Sequence, residues 1–446
     1  MKEKLRVAIN AQLRPDGGAG GTVTVLRALA ALTRLDDGPE EYVFVGPHDA
    51  PEWLSSILPP GQTVVPGPAP AEWGVDRLEP YKRALGALRP AARGLRRMLN
   101  ATVQTAEARA GLASLKSFAH ATPKNFYEGL GCDVVHFPFQ SYEPCGLPTV
   151  YNPHDLQHLH HPEFFTRSES ERRESLHPAA CRAAHTVVVA SEFVKRDLVE
   201  RYHIEPQKIQ VIPWAPPPLP ESPAAEDFST LKSKYGLGDG PFALYPAMTW
   251  EHKNHVRLLE ALARLRDRDG LELRFVFTGY QTDFWPRVER RVNELGLGGQ
   301  VNFPGLIPRK ELSALYRAAH FVFIPTMFEA ASAPLFEAWQ HGAPVACSSV
   351  TSLPEQASGA ALLFDPFDVE EIAYTLARMA VDDGLRDELR RRGARRLDDF
   401  SLERTAKAYR AVYRRAAGLT LGEEDRRLLG WDWTRGSAPA GRPAID

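Results

Sequence analysis

The sequence predicts an α/β protein built of two similar domains that face each other across a cleft. Three observations predict it. Short apolar strands alternate with helical stretches along most of the 446 residues, the pattern of parallel sheets covered by helices. Near the middle, residues 213–223 contain six prolines in eleven positions, a run that continues neither a helix nor a central strand and reads as a linker. Beyond it the same alternation begins again.

In the first half the expected strands are 6–10, 42–45, 134–137, 149–151, 186–190 and 209–212. In the second they are 242–245, 274–278, 301–303, 321–324, 344–346 and 361–363. Residues 1–215 therefore form one Rossmann-like domain and 224–398 another, with 399–446 as a C-terminal helix and tail that pack back toward the first. Residues 66–122 interrupt the first domain as a helical insertion. Between Tyr81 and Lys116 it carries eight Lys or Arg residues against a single acid, Glu107, while Leu85, Leu88, Leu95, Met98 and Leu99 supply an apolar side. Such a basic amphipathic stretch over 81–117 suits peripheral contact with an anionic membrane surface or an anionic acceptor, or else packs on its own domain.

Composition narrows the function. Lys plus Arg (54) nearly balances Asp plus Glu (56), which argues against a nucleic-acid partner for the chain as a whole. Cys132, Cys145, Cys181 and Cys347 are scattered without zinc or redox spacing and read as free thiols. The N-terminal apolar stretch is too short for a signal peptide, and no run reaches the roughly 18 apolar residues of a membrane span. The expectation is a soluble, cytoplasmic protein, associated with membrane at the cytoplasmic face where 81–117 engages it.

Four segments carry chemistry. The first runs from Phe328 through Glu329, Ala330, Ala331, Ser332, Ala333 and Pro334 to Glu337. Ser332 suits a helix N-cap and Pro334 the first turn. Glu337 then sits among apolar neighbours, where a carboxylate needs a partner such as a ligand hydroxyl or a nearby cation, while the helix amides favour phosphate. In the second, Lys253 stands where the loop after strand 242–245 becomes a helix, placed either to reach a diphosphate or to lie in solvent. The third, Gly17-Gly18-Ala19-Gly20-Gly21, follows the first strand and can bring backbone amides to an anion, or form a simple tight turn. Its spacing is not that of a dinucleotide site. The fourth places His154 after strand 149–151, four residues from His158. A metal pair is one reading, a ligand contact another and a structural role a third; Pro153 and the lack of an adjacent glutamate weigh against a metalloprotease.

Together these segments resemble the family-four retaining glycosyltransferases, whose fold is the two-domain GT-B type. The most specific element is glutamate-x7-glutamate, met by Glu329 and Glu337; Glu251-His252-Lys253-Asn254, Ser191-Glu192-Phe193, Ala343-Pro344-Val345 and Leu353-Pro354-Glu355 also look like the family's pattern. The resemblance implies that Glu337 holds the nucleotide ribose, Glu329 touches donor-sugar hydroxyls, Lys253 binds the diphosphate and His154 faces the reacting sugar. The amides near Ala331, Ser332 and Ala333 would steady the departing phosphate, and Gly17, Gly18, Gly20 and Gly21 would line the acceptor side. It further implies a nucleotide-sugar donor as co-substrate, a glycan or lipid-linked acceptor, retention without a covalent intermediate, and neither cofactor nor metal. Two departures stand out. Ala247 replaces an arginine many members carry six residues before the lysine, and Ala330, Ala331 and Ala333 replace glycines. They give weight to an alternative, a sugar-nucleotide-binding or scaffold protein whose transferase site has decayed. A glycosidase, with Glu329 and Glu337 as acid and nucleophile, leaves the lysine and the helix N-terminus without a task; a nucleotide-sugar epimerase of similar architecture is a further rival.

Overall fold

The computed structural model describes residues 4–13, 20–68, 125–216, 219 and 228–434. Their strands form two sheets, both entirely parallel. The first has β1 (Leu5–Asn10), β2 (Glu40–Gly46), β3 (Thr63–Pro66), β4 (Val134–Phe137), β5 (Thr149–Tyr151), β6 (Thr186–Val189) and β7 (Ile209–Val211), in the order 3-2-1-4-5-6-7. The second has β8 (Phe242–Pro246), β9 (Arg274–Thr278), β10 (Val301–Gly305), β11 (Phe321–Ile324), β12 (Val345–Ser348) and β13 (Leu362–Phe364), in the order 10-9-8-11-12-13. Every residue of β4, β5, β6, β11 and β12 is buried, because helices cover both faces of a parallel sheet. That is why these strands read as continuous runs such as Thr186-Val187-Val188-Val189 rather than as alternating patterns.

The helices that frame the site are α1 (Gly20–Ala30), α2 (Glu192–Tyr202), α3 (His255–Asp269), α4 (Arg309–Ala318), α5 (Ala333–Gln340), α6 (Leu353–Ala357), α7 (Asp383–Leu397) and α8 (Leu402–Ala416). In each sheet the strand order reverses beside the first strand, between β1 and β4 and between β8 and β11. A crevice opens at the carboxyl ends of strands at such a reversal, and ligands of α/β proteins bind there.

The two-domain α/β architecture expected from the sequence is present. Strand β3 was not expected; it has four residues, none buried, and ends on Pro66, so it carries little of the apolar signal by which strands are read. Of the insertion at 66–122 only 66–68 fall within the described residues, and 81–117 lies outside them. Helix α8 lies against the first sheet. The hydroxyl of Tyr413 meets Nδ1 of His136 at 2.8 Å, and Asn152 Nδ2 donates to the hydroxyl of Tyr409 at 2.9 Å. Arg414 pairs with Glu40 at 2.6 Å and Arg410 with Asp37. All four cysteines are unpaired. Among the described residues no helix is long and apolar enough to cross a membrane.

Candidate active site

The crevice between β8 and β11 brings two loops together. After β8 the chain makes a short turn at Glu251–Lys253 and enters α3 through Asn254, whose backbone is left-handed (φ 64°). Asparagine tolerates that conformation better than most residues. Its buried side chain donates to the carbonyls of Pro325 (2.9 Å) and Pro366 (2.8 Å), fastening the Lys253 loop to the loop that follows β11. Tyr245, wholly buried, donates to the carbonyl of Lys253 at 2.9 Å. Met327 donates its N–H to the carbonyl of His252 at 2.8 Å.

On this framework Lys253 Nζ lies 2.5 Å from Glu329 Oε1, with side-chain exposures of 19% and 12%. An ion pair so withdrawn from water holds only with good geometry. The backbone of Glu329 is held as firmly as its side chain. Its carbonyl accepts from the hydroxyls of Thr351 (2.7 Å) and Ser352 (2.8 Å), and its N–H donates to Thr351 Oγ1 at 3.0 Å.

Glu337 faces another way. It lies on α5 and its Oε2 accepts from the hydroxyl of Tyr316 on α4 at 2.7 Å. Tyr316 stacks on His341 with ring centroids 5.2 Å apart, so its position is fixed on both sides. Burial together with the neighbouring carboxylate raises the Tyr316 phenol well above its ordinary pKa, which keeps it a donor. Arg27 of α1, in the first domain, comes near enough to sense both Arg309 and Glu337. Burial first, then the charge of Arg309, lowers its pKa, and Glu337 opposes them.

Ser332 stands at the N-cap position of α5 but makes no capping bond through its side chain. Its hydroxyl is buried without a partner among the described residues. Gln356 holds its backbone instead, accepting from the N–H and donating to the carbonyl at 2.8 Å each. Ala331 is buried beside it and Ala333 opens the helix.

His154 adopts a left-handed backbone (φ 66°) after β5 and hydrogen-bonds through Nε2 to the carbonyl of Pro138 at 2.8 Å. Its ring meets Trp214 edge-on, with centroids 6.4 Å apart. Burial lowers its pKa, so the ring is neutral near pH 7. His158 turns instead to the hydroxyl of Tyr202 at 3.1 Å, so the two histidines do not converge. Among the described residues no group of three His, Cys, Asp or Glu could hold a metal ion. Gly20 and Gly21 open α1, while Gly17 and Gly18 lie outside the described residues.

A narrow crevice lies between the domains. Ala330, Ala331 and Trp214 line it, whereas Lys253, Glu329 and Glu337 do not. It is thus on the hinge side of the loop that carries Glu329. No sequence motif marks Tyr316, Arg27 or the Gln356 clamp. Tyr316 and Arg27 sit on ordinary amphipathic helices, and only the fold brings them to the carboxylate.

Residues 227–396 match the model for glycosyl transferases group 1, and 113–215 match that for glycosyltransferase family 4. O-antigen chain mannosyltransferase B of Escherichia coli is 29% identical over 286 residues, 59% of this chain and 73% of that protein. A D-inositol 3-phosphate glycosyltransferase of Salinispora arenicola is 28% identical over 289 residues, 61% of this chain and 64% of the relative. Among solved structures, sucrose-phosphate synthase of Thermosynechococcus elongatus superposes with a TM-score of 0.64 at 18% identity, covering 92% of this chain and 99% of that one. Anabaena HepE in complex with UDP and glucose gives 0.61 at 16% identity, covering 92% and 99%.

Proposed function

The chain belongs to the family-four glycosyltransferases, and on that premise we propose that it moves a hexosyl group from a nucleotide-diphosphate sugar to an acceptor hydroxyl, with retention at the anomeric carbon. The observation that carries the reading is the meeting of Lys253 and Glu329 at the β8–β11 crevice, 2.5 Å apart, with Glu337 eight positions further on, in the second turn of α5. A donor entering there would offer its diphosphate to Lys253 and its sugar hydroxyls to Glu329. Glu337, held by Tyr316, would take the ribose hydroxyls.

The chemistry asks for charge stabilisation rather than a protein nucleophile. The bond between the anomeric carbon and the diphosphate oxygen breaks through an oxocarbenium-like state, and the acceptor oxygen bonds to that carbon from the same face. The acceptor's proton passes to the leaving diphosphate. Lys253 and the amides of Ala331 and Ala333 would carry the growing phosphate charge, the Ser332 amide being taken by Gln356, and no step in this scheme requires a metal. Arg27 would bring from the first domain a positive charge that Ala247 does not supply. His154, neutral and turned toward Trp214, would line the sugar's surroundings from the first domain. Similarity to an O-antigen chain mannosyltransferase supports glycan assembly on a glycan acceptor, and the UDP and glucose in HepE support a nucleotide-sugar donor; a lipid-linked acceptor is the other acceptor class proposed.

The test is calorimetric titration of UDP, GDP, ADP and dTDP into the wild type, Glu337→Ala and Lys253→Ala. One nucleotide should bind clearly, and both substitutions should weaken it in protein that remains folded. Binding to none, or binding untouched by either change, would overturn the reading.

A further inference from the structure

Two motifs have no task in that reading, Ser191-Glu192-Phe193 in the first domain and Leu353-Pro354-Glu355 in the second. They meet across the cleft. Ser191 caps α2, its Oγ accepting from Val194 N–H at 3.3 Å. The N–H groups of Glu192 and Phe193 belong to the first turn, which has no acceptor within its own helix. They donate instead to the carboxylate of Glu355, at 2.8 Å to Oε1 and 3.3 Å to Oε2.

The segment that bears Glu355 also holds the loop of the donor site. Thr351 and Ser352 bind the carbonyl of Glu329, and Gln356 binds both backbone groups of Ser332. Behind it Arg396 of α7 donates to the carbonyls of Glu355, Gln356 and Trp433. One short stretch, 351–356, thus has one edge on the donor loop and the other on the first domain. Nearby contacts across the cleft, such as Phe193 with Phe328 at 6.0 Å and His160 with Phe328 at 5.5 Å, are ring packings that fix no register. The carboxylate on two amides is directional. It is also costly, since burial pushes Glu355 up to about 7, with Glu192 adding to that and the two amides and Arg196 opposing it. The crevice between the domains lies against this contact, lined by Trp214, Ala331, Phe336, Glu355 and Trp433 among others.

We propose that Glu355 is a positioning residue: by seating on the amides of α2 it holds the domains closed and sets the donor loop, through Ser352 and Gln356, in its working geometry. The consequence for turnover rests on the transferase reading, while the closure itself does not.

Two variants test the contact from opposite sides. Glu355→Ala removes the acceptor. Glu192→Pro removes a donor N–H at the first helical position, where proline is well accepted. Each should enlarge the radius of gyration in solution scattering and slow nucleotide release from the sugar donor by about tenfold or more. Each should leave the dissociation constant for UDP or GDP within about twofold, and the double variant should be no slower than the slower single one. Unchanged scattering and turnover in both variants, strictly multiplicative effects in the double variant, or nucleotide affinity falling in step with turnover would overturn the proposal. Should Glu355→Ala fail to fold, Glu192→Pro decides it alone. If neither nucleotide binds the wild type, the transferase reading fails while scattering still shows whether the contact closes the domains.

Discussion

The hydroxyl of Tyr316 donates to Oε2 of Glu337 at 2.7 Å, so the second motif glutamate keeps one oxygen engaged by the protein. A hydrogen bond to a charged group contributes about 1.5–3 kcal/mol. Tyr316→Phe should therefore weaken nucleotide binding by roughly tenfold, and Glu337→Ala by more. Calorimetry on both, with unfolding midpoints as the check on folding, decides it. Equal affinity in Tyr316→Phe and wild type would separate this bond from ligand binding.

Lys253 and Glu329 neutralise each other in a largely buried setting. Removing one partner strands the other's charge, which is worse than removing both. Lys253→Ala should lower stability by about 1–3 kcal/mol, and the double variant with Glu329→Ala should recover part of that loss. Denaturant titrations of the two single variants and the double supply the cycle.

Gly279 follows β9 with φ of 136°, and a Cβ there would fall 2.6 Å from the carbonyl oxygen of Ala247 and 2.9 Å from Met248 N. Both are backbone atoms and cannot swing aside. Gly279→Ala should cost about 1–3 kcal/mol and push the loop that leads to Lys253. Lower thermal stability together with weaker nucleotide binding is expected; a neutral result in both would contradict this close approach.

Stability should fall in acid through His136. It is buried between the Tyr413 hydroxyl and Asn152 Oδ1, and burial pulls it down to about 3 despite the bond to Asn152. An unfolded histidine protonates below about pH 6.5, so stability is complete above that value and is lost as pH falls toward 3. The slope is about 1.4 kcal/mol per pH unit for this one group. Denaturant midpoints at pH 7.5 and 5.5 should differ less in His136→Gln than in wild type.

The architecture was legible because parallel strands buried on both faces leave unbroken apolar runs, as at Thr186–Val189 and Phe321–Ile324. β3 was not, being an edge strand without a buried residue. In the site, Lys253 and Glu329 could be named from their loops because motif spacing is local. Their mutual contact could not, since 76 positions separate them and only the β8–β11 pairing closes the gap. Ser332 illustrates a different limit. The sequence supports an N-cap serine, yet Gln356 occupies the backbone groups and leaves the hydroxyl aside. Arg27 offered no signal at all, because its significance lies in what the opposite domain places beside it.

Helix α8 bears on how the protein comes into being. His136 and Asn152 are made early, but their partners Tyr413 and Tyr409 emerge from the ribosome 277 and 257 residues later. The first domain synthesised is accordingly the last one finished, and the second, whose strands are continuous in sequence, can fold before it. A nascent chain halted after residue 400 should present an unfilled apolar face on the first sheet, a natural hold for chaperones.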